Sequence, residues 1–267
     1  MKKIWIVLLL VLELFASKIE TPLVTLDIKN ETGTINIEKV DVGMSGFIVK
    51  ELSSKHSVIL NDVVVSAFDV TTHKATLKIT PNEVFVNEAL PHITSEAKVG
   101  DKVLLAVNYD RALLVAPSEN VYYKIVKNVK IEWVHPDIFA TVLSMNGHPT
   151  PLYSDFQDFS ELSGVGLLFV YLEKKLYTLD IKSFKILNIS DAPLQIKSQK
   201  LPFYSRVEKI EANWFGEGNK RLKTYAKHYY ELLIAHNQKN EKFYKIVKDS
   251  HNKTLLKLFD KKEENDR

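Results

Sequence analysis

The sequence predicts an α+β protein: an N-terminal antiparallel β barrel or sandwich, then a mixed α/β segment, then C-terminal helices. Two periodicities carry this prediction. From Pro22 to about Pro117 apolar residues recur every second position, and from about Glu217 they recur every 3.6. Between these stretches, short helix signals alternate with short strand signals.

The N-terminal strands follow one another closely. Val24, Leu26 and Ile28 alternate with Thr25, Asp27 and Lys29, and Thr34–Ile37 repeats the pattern. Gly43-Met44-Ser45-Gly46 reads as a turn before Phe47-Ile48-Val49. Residues 58–68 are rich in β-branched side chains, and Ala75, Leu77 and Ile79 alternate with Lys74, Thr76 and Lys78. Residues 82–96, with Pro91 and little alternation, read as a loop. Gly100-Asp101 and Asp110-Arg111 are turns before apolar runs at 103–107 and 112–115. Strands this short and this frequent suit a small barrel or sandwich.

In the middle segment, Ser118-Glu119 opens a helix to about Lys127, and residues 130–134 read as a strand. His135-Pro136-Asp137 starts a helix to Ser144, with proline in the first turn. Ser154 reads as the N-cap of another helix to Leu162. A hairpin turns at Glu173-Lys174, residues 185–189 add a strand, and 191–202 reads as an irregular connection. In the last segment Leu222, Tyr225, Ala226, Tyr229, Leu232 and Leu233 share one face, followed by weaker helical faces around Phe243–Val247 and Leu255–Phe259. The expected organisation is a signal peptide at 1–17, a β-rich domain at 18–117, an α/β segment at 118–210 and a helical region with a charged tail at 211–267.

The first 17 residues have the form of an export signal. Lys2 and Lys3 precede an apolar run from Ile4 to Phe15, broken only by Glu13, and small Ala16 offers a cleavage point. The run is too short to cross about 30 Å of hydrocarbon as a helix, so contact with a membrane is expected only through an uncleaved signal.

Composition narrows the function classes. The chain is 45% hydrophobic and 26% charged, as a globular protein is, and carries a formal charge of +3. That even balance argues against nucleic acid as a bulk electrostatic partner. With no cysteine, thiol nucleophiles, disulfides and cysteine-held zinc are excluded. His135, Asp137, His148, Asp155 and Asp158 fall in one stretch, but no two histidines stand four apart as a helical metal site needs. Asp137, Asp155 and Asp158 are read as helix-start residues and His148 as a turn residue. His228 and His236 lie about 12 Å apart on a helix, too far to share an ion, and are expected on the surface. No nucleophile elbow, phosphate loop or dinucleotide fingerprint occurs. The expectation is a binding protein without cofactor or metal, not an enzyme. Adjacent aromatic pairs at 122–123, 203–204 and 229–230 read as core filling with an amphipathic rim.

Four stretches, in this order, resemble the N-terminal domain of the bacterial plasminogen-binding protein PgbA family. They are Val99–Val103 leading into Asp110–Pro117, Gly164–Leu179, Ser183–Leu187, and Pro202-Phe203-Tyr204-Ser205-Arg206-Val207-Glu208-Lys209-Ile210. The resemblance implies a surface protein that captures host plasminogen, whose kringles take a lysine amine, its carboxylate and its methylenes together. It further implies a C-terminal lysine. This sequence has Arg267 in last place, whose broad guanidinium does not replace a compact ammonium. The expected contacts are therefore Lys261 and Lys262, with Glu263 and Glu264 standing in for the carboxylate and Arg267 beside them. The competing expectation is a periplasmic scaffold that docks another envelope protein on the helix at 219–235, through Tyr229 and Leu233.

Overall fold

A computed structural model describes residues 18–53, 56–82 and 95–260. The predicted export signal, residues 83–94 of the predicted loop, and the expected contacts Lys261, Lys262, Glu263, Glu264 and Arg267 lie outside the described residues. The chain is α+β, as its periodicities predict, and its described residues divide into two compact units, 18–109 and 110–260.

The first unit is a six-stranded barrel: β1 (Ile19–Asp27), β2 (Thr32–Asn36), β3 (Ser45–Ser53), β4 (His56–Asp69), β5 (Lys74–Pro81) and β6 (Lys102–Leu105). The order is β1-β2-β5-β4-β3-β6, all pairs are antiparallel, and β1 pairs with β6 to close the ring. Alternation sets the inner face. On β5, Ala75, Leu77 and Ile79 are buried while Lys74 and Lys78 are exposed. On β1 the predicted alternation holds from Val24 to Asp27, with Val24 and Leu26 partly buried and Thr25 and Asp27 exposed; Leu23 enters the core as well, and Ile28, beyond the strand, is 68% exposed. The β1–β2 register shifts between Leu23 and Thr25, and one extra residue there moves every later side chain to the other face. Residues 45 and 46, read as turn, begin β3. Glycine is needed at 46, because a Cβ there would lie 1.9 Å from the Leu104 carbonyl oxygen of β6.

The second unit is built on a five-stranded sheet ordered β11-β10-β9-β7-β8. Its strands are β7 (Arg111–Val115), β8 (Glu132–Val134), β9 (Leu167–Leu172), β10 (Lys175–Asp180) and β11 (Ile186–Asp191). β7 runs parallel to both β8 and β9, and the rest are antiparallel. Helix α1 (Glu119–Asn128) makes the crossover from β7 to β8 that a parallel pair requires. Ala112–Val115 and all of β9 are buried, which explains their unbroken apolar runs.

Helices α2 (Pro136–Asn146), α3 (Tyr153–Ser163), α4 (Tyr225–His236), α5 (Glu241–Asp249) and α6 (Lys253–Asp260) complete the unit. Pro136 opens α2 and Gly147 closes it with φ of 69°. Ser154 is not the N-cap of α3. Leu152 holds that position, and Asp155 three residues on accepts a hydrogen bond from its N–H at 2.7 Å.

The long helix starts at Tyr225, not near Glu217, because backbone groups in 211–224 bond to residues 144–150 instead of to one another. Its apolar face is already occupied. Tyr225, Tyr229, Tyr230, Leu233 and Ile234 are all buried in one core with Phe139, Phe156, Phe159, Phe203 and Phe243. This overturns the expectation that Tyr229 and Leu233 form a docking face. Among the described residues no helix is long and apolar enough to cross a membrane.

Candidate functional site

The expected contact residues follow helices α5 and α6 in the sequence. Asn240 caps α5 by accepting from the Phe243 N–H at 3.0 Å, and Asn252 accepts from Thr254 and Leu255 at 3.2 Å each. Phe243 and Val247 on α5, and Leu255 and Phe259 on α6, anchor the pair in the core. The opposite faces carry Lys245, Lys248, Lys253 and Lys257, all exposed. Among the described residues none of these four joins an ion pair, so their ammonium groups face water. Tyr244 is partly exposed beside them and meets Phe259 edge-on at 5.3 Å.

A second cluster joins three distant parts of the unit. Tyr122 and Tyr123 come from α1, His135 and Asp137 from the start of α2, and Tyr204 and Arg206 from the stretch before residue 211. The Tyr122 ring lies 5.3 Å from Tyr123, 5.4 Å from His135 and 5.2 Å from Tyr204. Tyr204 donates its hydroxyl to Glu119 at 3.2 Å. Asp137 accepts from both the Arg206 backbone N–H and its Nε–H, each at 2.6 Å, which ties residue 206 to a helix start. Tyr122 and Tyr204 are buried, whereas Tyr123 is 51% exposed beside the exposed Arg206.

Burial, with the nearby charges of Tyr123 and Asp137, pushes the Tyr122 phenol up to about 12. Burial also raises Tyr204, helped by Tyr123 and Glu119. Burial lowers His135 more than Asp137 raises it. Burial opposes ionisation of Asp137, but the two bonds from Arg206 and the nearby positive charge outweigh it and hold the carboxyl below its ordinary value. At neutral pH the cluster therefore holds neutral phenols, a neutral imidazole and one Arg–Asp pair. It offers a ring and a guanidinium, a surface for stacking and hydrogen bonding.

The five histidine and aspartate candidates separate into two places. His135 and Asp137 belong to the cluster above. His148 Nδ1 lies 2.8 Å from Asp155 Oδ1, which also accepts from Asn146 at 2.9 Å, while Oδ2 serves the Leu152 N–H. Asp155 is fully buried, and its bonds fasten the α2–α3 connection. His148 is thus part of that fastening rather than a free turn residue. Asp158 reaches Asn146 only at 3.5 Å. Among the described residues no three His, Asp or Glu side chains gather as metal ligands. His228 and His236 are not the surface residues expected. His228 Nε2 bonds the Pro151 carbonyl at 2.9 Å, and His236 packs on Tyr153 with ring centres 4.2 Å apart.

The aromatic cluster was only half legible. Its tyrosine pair and its Pro202–Ile210 stretch both stand out in the sequence, but nothing local says that they meet. Comparison with known proteins decides the family: the one described as "Plasminogen-binding protein pgbA N-terminal" matches residues 18–233. The chain belongs to this family. The family match takes in the barrel and the tyrosine–Arg206 cluster and ends within α4, before α5 and α6. A plasminogen-binding protein PgbA of Helicobacter pylori strain J99 is 29% identical over 205 residues, covering 75% of this chain and 44% of that protein. The protein of the same name from strain 26695 is 28% identical over 207 residues, 76% and 44% of the two chains. The chain thus spans less than half the length of these curated relatives. No solved structure matches it.

Proposed function

We propose that this chain is an exported protein of a bacterial envelope or surface that captures plasminogen through lysines at its carboxyl end. Export is assigned to residues 1–17, and no catalytic role is assigned. The observation that supports the reading is the set of exposed lysines on α5 and α6, free of carboxylate partners among the described residues, in a member of a family named for plasminogen binding. On an anchored helix the backbone is already ordered, so capture costs only the lysine's side-chain freedom, and an ammonium without a local partner has no ion pair to break. Lys261 and Lys262 follow α6 in the sequence, and Glu263 and Glu264 after them add acids that can stand in for a carboxylate. Lys245 with Asp249, four residues apart on α5, offers the same pairing on a described helix.

The test is plasminogen capture by the full chain, with and without a free lysine analogue. Capture abolished by the analogue, and weakened by deleting residues 261–267 or by replacing Lys245, Lys248, Lys253 and Lys257 with glutamine, is the expected result. Capture indifferent to the analogue rejects a kringle mechanism. If Tyr123→Ala with Arg206→Ala then removes it, the contact belongs to the aromatic cluster inside the family match.

A further inference from the structure

The stretch between Ile210 and α4 is irregular yet fastened at both limbs. On the way out, Glu211 N–H donates to Ser144 Oγ at 2.9 Å, Asn213 N–H to the Gly147 carbonyl at 3.0 Å, and Asn213 Nδ2 to the Asn146 carbonyl at 2.8 Å. On the way back, Thr150 donates its N–H to the Gly218 carbonyl at 3.1 Å and its hydroxyl to the Lys220 carbonyl at 2.6 Å. Asn219 Nδ2 reaches the Trp214 carbonyl at 3.3 Å and links the two limbs. Gly216 and Gly218, with φ of 112° and 77°, make the reversal that side-chain-bearing residues resist.

At the apex stand Trp214, 91% exposed, and Phe215, 87% exposed. A single exposed apolar residue is ordinary, but two adjacent large rings in water on a loop with fixed ends are not. Met145, at the end of α2 where the loop is fastened, is 78% exposed as well. Lys220, Arg221 and Lys223 follow within the same loop and are exposed; its two acids are Glu217 and Glu211, the latter paired with Lys209.

We propose that this loop is a membrane-contact element: Trp214 and Phe215 enter the interfacial layer of an anionic lipid surface while Lys220, Arg221 and Lys223 meet its phosphates. Three features favour lipid over a protein partner. The rings project from a loop instead of lining a groove that a partner side chain could fill. Indole and phenyl side by side match a boundary that is apolar on one side and wet on the other. The cations follow the rings within the same loop and are exposed, and each adds attraction to an anionic leaflet. Because the limbs are already fastened, contact orders little new chain. This reading is independent of plasminogen capture.

The experiment uses the full chain carrying Trp5→Phe, so that emission comes from Trp133 and Trp214. Phosphatidylcholine vesicles with and without phosphatidylglycerol are the probe, read by co-sedimentation and by quenching with bromine-labelled lipid. The chain is expected to bind the anionic vesicles and to be quenched, and further Trp214→Phe is expected to lose that quenching. Trp214→Ser with Phe215→Ser is expected to lower partitioning at least about tenfold. Lys220→Gln, Arg221→Gln and Lys223→Gln together are expected to weaken binding to the anionic vesicles and flatten its salt dependence. Neither ring touches another aromatic ring among the described residues, so the double serine variant is expected to keep the parent's thermal midpoint. Equal partitioning of the parent and the double serine variant, or quenching no stronger in the parent than in Trp214→Phe, overturns the proposal. Ring-dependent self-association without vesicle binding also overturns it and makes the apex a protein contact.

Discussion

The two units bury their interiors with different side chains. The barrel core is chiefly aliphatic, with Leu23, Ile35, Ile48, Val63, Leu77 and Val103 filling the inner face. The second unit is aromatic: Phe139 alone meets Phe156 at 4.7 Å, Phe159 at 5.1 Å and Phe203 at 5.4 Å between ring centres. The polar bonds differ in kind too. The barrel is held by backbone ladders that run around the ring, whereas buried tyrosines of the second unit send their hydroxyls to carbonyls far along the chain. Tyr229 reaches Pro202 at 3.0 Å, Tyr171 reaches Leu194 at 2.9 Å, and Tyr225 lies 3.1 Å from both Val115 and Tyr171 carbonyls. Ladders need only alternation. Side-chain fasteners need particular residues at particular places, and they let long irregular connections be ordered.

The largest expected effect tests the aromatic interior. Phe139→Ala removes three ring contacts and leaves a cavity, and about 4 kcal/mol of stability is expected to be lost in urea unfolding. Next comes the barrel seam, where Gly46→Ala forces its methyl against the Leu104 carbonyl. A loss of about 3 kcal/mol, with faster amide exchange in β3 and β6, is expected. If Gly46→Ala unfolds like the parent, the close β3–β6 approach does not hold the barrel.

Tyr229→Phe keeps the ring and deletes one fastener. It is expected to cost about 1 kcal/mol, by urea unfolding, and to raise exchange around residue 202. The smallest effect is on pH. Burial lowers the pKa of His228 below the ordinary 6.5, more than its bond to Pro151 raises it. A group with a lowered folded pKa contributes stability above its unfolded value and loses it as pH falls through the folded one. The thermal midpoint is therefore expected to drop by a few degrees below pH 6.5, and His228→Gln to remove part of the drop. His135, shifted the same way, supplies another part.

What was legible follows the same division. Period-two strands, the hairpin at Glu173-Lys174 and the proline-led start of α2 are local patterns, and each appears where the sequence places it. The bulge that brings Leu23 into the core ahead of the Val24–Leu26 alternation leaves no trace in the sequence. Leu222 keeps the apolar spacing and predicts helix from about Glu217, but Asn213 bonds Gly147 and Thr150 takes the carbonyls of Gly218 and Lys220, so that backbone is not helical. Asp155 at the third helical position supplies one half of a capping box, accepting from the N-cap N–H, and is readable as such only once the cap is placed on Leu152 and not on Ser154. The meeting of Tyr123, Tyr204 and Arg206 has no local signal, since about eighty residues separate its halves.

One further contrast lies at the rims of the sheets. A closed ring offers no open flank, but the second sheet ends in β11. There Asn237 accepts from the Ile186 N–H at 2.8 Å and Lys242 donates to the Ile189 carbonyl at 3.1 Å. Backbone groups that could otherwise recruit a foreign strand are taken by side chains from the helical end of the same chain. Crowded copies of the protein would accordingly find little to zip onto along β11, and removing Asn237 or Lys242 would expose a place for fibre-like association to begin.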